Sequence, residues 1–118
     1  MSVEHLVGRQ VVAIVSDPWD FNSQHGTGPF VMAVESAGGD ELLLRLANAL
    51  TYNRVAFDRV VATARYVNDR LVVLAEGDRV SVNLTPVPSQ TSRQEVKDAL
   101  ESAKRWRGWH LIGTISVT

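Results

Sequence analysis

The sequence contains no cysteine, so neither a structural disulfide nor a thiolate metal site is available to it. It also lacks a long apolar run, because the longest one, Val11–Val15, falls far short of the roughly 20 residues that a membrane-spanning helix needs. The segment Met1–His5 has no basic region followed by an apolar region, as a signal peptide would have. From these absences we expect a cytoplasmic protein with no membrane contact.

An excess of charge of one sign is absent as well, since 12 lysines and arginines oppose 13 acids for a formal net charge of −1. This balance gives no long-range field that would attract nucleic acid or an anionic membrane. The other proportions, 45% hydrophobic and 21% charged residues, are those of ordinary globular proteins. A chain of 118 residues has a common domain size and buries about two-thirds of its unfolded surface. We therefore predict one domain over residues 1–118 that folds without a cofactor or metal.

Short apolar segments with period-two alternation predict five or six β-strands. Alternation is clearest in Arg79–Thr85, which places three apolar residues on one face and polar residues on the other. Pro29–Glu35 and Glu41–Leu46 flank the turn sequence Gly38–Asp40 and predict a hairpin. Further strands are predicted at Arg9–Ser16, Val55–Tyr66 and His110–Val117. The segment Asn68–Glu76 fits either a short helix or an irregular strand.

A helix is predicted over Ser92–Arg107, where Ser92 and Glu95 have the spacing of a capping box. An apolar stripe follows at helical spacing, and Gly108 stands where a helix commonly ends. Because the strands precede the helix rather than alternate with it, the pattern favours an α+β fold. We expect a strongly bent antiparallel sheet or small open barrel, of the SH3-like or OB-like kind, with one α-helix near the C-terminus. An open sheet with one packed helix is the alternative.

Between the first two predicted strands lies Asp17–Gly28 (DPWDFNSQHGTG), a connection longer than a hairpin needs. Long connections in small domains often carry function. Its aromatic side chains Trp19, Phe21 and His25 predict a contact surface for another protein, because exposed aromatic rings offer large area at low entropic cost. The prediction depends on Trp19 and Phe21 being partly uncovered.

A second cluster, Arg105-Trp106-Arg107-Gly108-Trp109-His110, interleaves cations with indole rings. Such residues bind single-stranded nucleic acid by stacking and phosphate pairing, and they are also common at protein interfaces. A structural interpretation stands beside both, in which Trp106 and Trp109 pack the helix end onto the sheet. In the nucleic-acid hypothesis Arg54, Arg59 or Arg65 would contribute, although the near-neutral net charge counts against it.

Asp17, Asp20 and His25 supply carboxylate and imidazole groups, which predict a metal or acid–base site if the three converge. The alternative is that Asp17 begins a turn with Pro18 and that Asp20 binds nearby backbone. For nucleophilic catalysis the sequence offers little, since it contains no Gly-x-Ser-x-Gly motif.

Taken together, these patterns favour a non-enzymatic protein-binding module, of the inhibitor or immunity type, an adaptor or an assembly subunit. Its predicted contact residues are Trp19, Phe21, His25, Arg105, Trp106, Arg107 and Trp109. The alternatives are a small barrel that binds RNA or single-stranded DNA, and a metal-assisted or acid–base enzyme at the 17–28 segment. The sequence shows no specific resemblance to a known family.

Overall fold

A computed structural model gives the structure, which describes residues 3–38, 41–66, 71, 74–89, 94 and 110–118. A short 3₁₀-helix, η1, comes first, and an α-helix, α1, separates the first two of six strands. The elements are η1 (Val3–Leu6), β1 (Gln10–Asp17), α1 (Trp19–His25), β2 (Phe30–Gly38), β3 (Glu41–Tyr52), β4 (Val55–Ala64), β5 (Arg79–Pro88) and β6 (Leu111–Val117).

The six strands form a closed barrel in which each strand pairs with its neighbour in the chain. All the pairings are antiparallel, and β6 returns to pair with β1, with Val11 opposite Val117. Closure satisfies the backbone groups that the edges of an open sheet would leave unpaired. The prediction of a small antiparallel barrel within an α+β fold is therefore confirmed, and the barrel is closed.

Alternation along the strands fills the barrel with aliphatic side chains. In β1, β3 and β5 the inward residues are almost fully buried, as the period of two requires. These inward residues include Val11, Ala13, Val15, Leu42, Leu44, Leu46, Val82 and Leu84. A second, smaller buried cluster consists of Leu43, Val61 and Val87, which alternate with those residues and lie on the outer face.

Different elements lie at the two ends of the barrel. At the end that we call the α1 end lie α1, the β3–β4 turn at Asn53–Arg54, and Ser89 and His110 on either side of the β5–β6 connection. At the opposite end η1 contributes the buried Val3 and Leu6, and Leu71 and Leu74 are buried in the same core. Both ends are thus closed by apolar side chains from segments outside the strands.

Two predicted features differ from the structure. The 17–28 segment, predicted as a long connection without regular structure, contains α1, and this helix places Phe21 in the barrel core. The strand predicted at Arg79–Thr85 is longer in the structure, where β5 continues through Pro88. Pro86 and Val87 are buried, and β5 pairs with β4 across a register shift between Phe57 and Arg59.

The C-terminal helix predicted over Ser92–Arg107 lies outside the described residues except for Gln94, which is helical and exposed. The same holds for Arg105, Trp106, Arg107 and Trp109. In the ambiguous Asn68–Glu76 segment, the described positions include Leu71 and Leu74, both buried.

Candidate functional site

The connection between β1 and β2 folds back onto the α1 end of the barrel. Asp17 ends β1, Pro18 follows in an extended conformation, and α1 begins at Trp19. Proline is suited to this position, because a helix start leaves its first backbone donors unpaired anyway. After the helix the Val15 backbone N–H donates to the Thr27 carbonyl oxygen at 2.9 Å, which fixes the return towards β2.

Phe21 lies on the side of α1 that faces the barrel. Its side chain is 1% exposed and belongs to the barrel core. The ring centroid lies 4.9 Å from that of His25, 5.4 Å from that of Tyr52 and 6.1 Å from that of Phe30. Phe21 therefore cannot contact a partner directly, in contrast to the expectation from the sequence, because its ring fills the end of the barrel.

Three side-chain hydrogen bonds hold α1 against the strands. The Tyr52 hydroxyl donates to Oδ1 of Asp20, and Asn22 Nδ2 donates to the Ser16 carbonyl oxygen at 2.8 Å. His25 Nε2 lies 3.0 Å from the Thr51 carbonyl oxygen, which can only accept, so this nitrogen carries the proton. The bonds reach β1 and β3 from the beginning, middle and end of the helix, so α1 is fixed along its whole length.

The hydrogen bond to Asp20 also changes the acidity of Tyr52. That bond, followed by burial and by the negative charge of Asp20, raises the pKa of Tyr52 from 10.0 to about 12. Each cause favours the neutral phenol over the phenolate. Tyr52 is therefore a hydrogen-bond donor throughout the physiological pH range.

Trp19 is on the other side of α1, where its side chain is 79% exposed. Trp19 and Phe21 are two positions apart, which on a helix places them about 200° apart around the axis. Burial of one ring thus directs the other away from the barrel. Asp17 and Asp20, also exposed, stand on either side of Trp19 in the sequence.

His25 is half-buried, and its ring packs on Phe21 while it bonds to Thr51. These contacts make it part of the support for α1. Of the three aromatic residues that the sequence predicts as contacts in this segment, Trp19 alone presents most of its surface to solvent.

The possible metal or acid–base set does not converge. Asp20 binds the Tyr52 hydroxyl and the Phe21 backbone N–H, the latter at 3.0 Å, whereas His25 binds a backbone carbonyl of β3. Among the residues that the structure describes, no group of three or more His, Asp or Glu side chains is placed to hold a metal ion. The Asp20 carboxylate and the His25 imidazole attach the helix to β3.

The arginines of the nucleic-acid hypothesis lie apart from one another. Arg54 is exposed in the β3–β4 turn, whereas Arg65 is exposed just past the opposite end of β4 and packs over the Tyr66 ring at 5.2 Å. Arg59 makes a bidentate ion pair with Glu35, in which Nε lies 2.6 Å from Oε2 and Nη2 lies 3.1 Å from Oε1. This carboxylate also raises the pKa of Arg59 above its usual value. The three therefore form no common basic patch.

Sequence reasoning missed Tyr52 as part of this site, since nothing local connects it to Asp20. Two features of the sequence nevertheless bear on the helix and on the partners of its acidic residues. Phe21 and His25 have the i,i+4 spacing of a side-chain pair on one helix face. In addition, no lysine or arginine occurs between Arg9 and Arg45, so Asp17 and Asp20 have no cationic neighbour along this stretch.

Comparison of the chain with protein-family models, with curated proteins and with solved structures found no match. Within the described ranges, no helix has the length and apolar character that crossing a membrane would require.

Proposed function

We propose that this barrel is a non-enzymatic protein-binding module that uses Trp19, presented on α1, as its anchor residue. One observation carries the proposal, namely that a tryptophan is 79% exposed on an element fixed at several points to a closed barrel. Tryptophan is enriched among the residues that dominate binding energy at protein interfaces. A ring with most of its surface in water contributes little to folding, so folding does not account for a tryptophan at this position.

The attachment of α1 supports the same proposal. An anchor on a mobile loop would lose conformational entropy on binding, which weakens affinity. Here Phe21 in the core and the side chains of Asp20, Asn22 and His25 fix the helix before any partner arrives. The Trp19 backbone is therefore already ordered, and binding needs to order only the indole side chain.

The charges around Trp19 define the chemistry of the partner. The exposed Asp17 and Asp20 flank Trp19 in the sequence and place negative charge beside the indole, while the exposed Arg54 of the β3–β4 turn lies at the same end of the barrel. Complementary potentials favour association and suppress wrong partners. The partner is thus a protein with an apolar pocket for an indole ring and with basic side chains placed to meet Asp17 and Asp20 beside it.

Further contacts are proposed for Trp106 and Trp109, together with Arg105 and Arg107. The connection that contains them leaves β5 at Ser89 and reaches β6 at His110, both at the α1 end. The chain topology thus attaches this connection to the same end of the barrel as Trp19. Whether the module acts as an inhibitor, an adaptor or an assembly subunit depends on the partner.

The experiment compares three forms of the protein as bait in extracts of its native host. Wild type and Tyr66→Ala should recover a common partner, whereas Trp19→Ala should lose it. Tyr66 is a matched control, because it is an aromatic residue that is 55% exposed at the opposite end of the barrel. With the purified partner, Trp19→Ala should raise the dissociation constant by at least about tenfold, as expected for an interface anchor. Equal recovery and equal affinity for all three proteins would exclude Trp19 as the anchor.

A further inference from the structure

Tyr52 connects the barrel to α1 at the residue next to Trp19. It is the last residue of β3, and it pairs with Val55 across the β3–β4 turn. Its side chain is 5% exposed, with the ring edge-on to Phe21 and the hydroxyl directed at Asp20. The phenol is thus held by the sheet on one side and by the aromatic core on the other.

Asp20 Oδ1 is shared between the barrel and the helix. It accepts from the Tyr52 hydroxyl and also from the Phe21 backbone N–H at 3.0 Å. Hydrogen bonds to an ionised carboxylate are stronger than those between neutral groups. A single oxygen atom therefore ties the first turn of α1 to the end of β3.

Without its contacts to the barrel, α1 has little stability that could compensate for the loss of this bond. It is seven residues long, and Pro18 provides no side-chain cap. Backbone bonds close its two ends, from the Asn22 N–H to the Pro18 carbonyl oxygen at 3.2 Å and from the Gly26 N–H to the Asn22 carbonyl oxygen at 2.8 Å. Isolated helices of this length are not stable in water, so tertiary contacts determine where α1 lies.

We propose that Tyr52 is the positioning residue of the binding surface: its hydroxyl, through Asp20, fixes the first turn of α1 and thereby the direction in which Trp19 leaves the barrel. The part of this inference that concerns binding rests on the proposed function. The part that concerns the helix does not.

The test uses Tyr52→Phe, which removes the hydroxyl and keeps the ring against Phe21, in the full-length chain. Tyr66→Phe is the matched control, since Tyr66 is the second of the two tyrosines and is exposed at the opposite end. Amide hydrogen exchange measured by NMR at Asn22 and Gly26 should become about tenfold faster in Tyr52→Phe. Exchange at Leu84 and Ile115 in the barrel should change far less, and Tyr66→Phe should match wild type. Asp20→Asn, which retains an acceptor oxygen, should lie between wild type and Tyr52→Phe.

Affinity for the purified partner is the second measurement, and it should fall in Tyr52→Phe but not in Tyr66→Phe. Unchanged exchange at Asn22 and Gly26 in Tyr52→Phe would overturn the inference, whatever the partner does. Faster exchange with unchanged affinity would show that Tyr52 holds the helix without positioning Trp19, and would also overturn it. Failure of Trp19→Ala to affect binding would overturn the proposed function alone, because the exchange measurement requires no partner.

Discussion

Phe21 and Trp19 are close in sequence but have opposite environments, 1% and 79% exposed. Phe21→Ala should lower the free energy of unfolding by about 3–5 kcal/mol, because it removes a fully buried ring from the barrel end. Trp19→Ala should change it by no more than about 0.5 kcal/mol, since little of its side chain is buried. Chemical denaturation of both variants measures the difference. A large loss of stability in Trp19→Ala would mean that the indole is part of the core.

Tyr52 should make stability depend on pH in the alkaline range. Its pKa is raised from 10.0 to about 12 by the hydrogen bond to Asp20, by burial and by the charge of that carboxylate. Because the folded-state pKa is the higher one, the stabilisation is complete below pH 10 and is lost as the pH rises through about 12.

The measurement is the difference in unfolding free energy between wild type and Tyr52→Phe as a function of pH. It should be constant below pH 10 and shrink towards pH 12. In parallel, ultraviolet absorbance of wild type should show Tyr52 ionising with a pKa of about 12, and Asp20→Ala should lower this pKa, with the contribution of burial retained. A difference that grows above pH 10 would contradict the assigned direction.

The seam between β1 and β6 depends on a glycine. A Cβ atom at Gly113 would lie 2.0 Å from the Ile14 carbonyl oxygen and 3.0 Å from the Val15 Cα, and both are backbone atoms. Gly113→Ala should therefore destabilise the fold by about 3 kcal/mol or more, since the backbones of two paired strands would have to separate.

Ser116→Ala is the control for this prediction, because Ser116 is half-buried in the same strand. Thermal unfolding should show a strong decrease in melting temperature for Gly113→Ala and little change for Ser116→Ala. Similar melting temperatures for the two variants would show that the seam tolerates a side chain at this position.

The β3–β4 turn contains two residues other than glycine in the left-handed region, Asn53 with φ of 51° and Arg54 with φ of 64°. Two positive φ values in a two-residue hairpin are typical of a type I′ turn, in which Asn-Gly is the preferred sequence. Arg54→Gly should therefore stabilise the protein by up to about 1 kcal/mol. Arg54→Ala, which retains the Cβ atom, should not. If denaturation curves show the same change in stability for both variants, the change arises from loss of the arginine side chain instead.

Sequence patterns predicted the positions of the strands because side chains along most of each barrel strand alternate between an inner and an outer face. They did not predict closure, since the pairing of Val11 with Val117 has no local signal. They also missed α1, which depends on tertiary contacts with Tyr52, Ser16 and Thr51. Treating Asp17–Gly28 as a loop gave Trp19 and Phe21 the same exposure, whereas a helix directs them to opposite sides.

At the scale of the whole molecule, the net charge of −1 and the dispersed arginines bear on nucleic-acid binding. Association with nucleic acid depends on neutralising several phosphates at one surface. A mixed-sequence single-stranded oligonucleotide should therefore show no binding tighter than about 100 μM at low salt, in a fluorescence anisotropy titration. Micromolar binding that weakens steeply with salt, and that is lost when Arg105 and Arg107 are replaced by glutamine, would support the alternative function.

The barrel is closed by the pairing of β1 with β6, and Gln10 and Thr118 lie side by side at one end of this pairing. The Thr118 backbone N–H donates to the Gln10 carbonyl oxygen at 3.2 Å, where β1 begins and β6 has just ended. A pulling force applied between these two residues would load the hydrogen bonds of the β1–β6 ladder one pair after another rather than all together. The molecule should thus peel open along this line under a weak force, although the same closure protects every strand from sideways pairing with another chain.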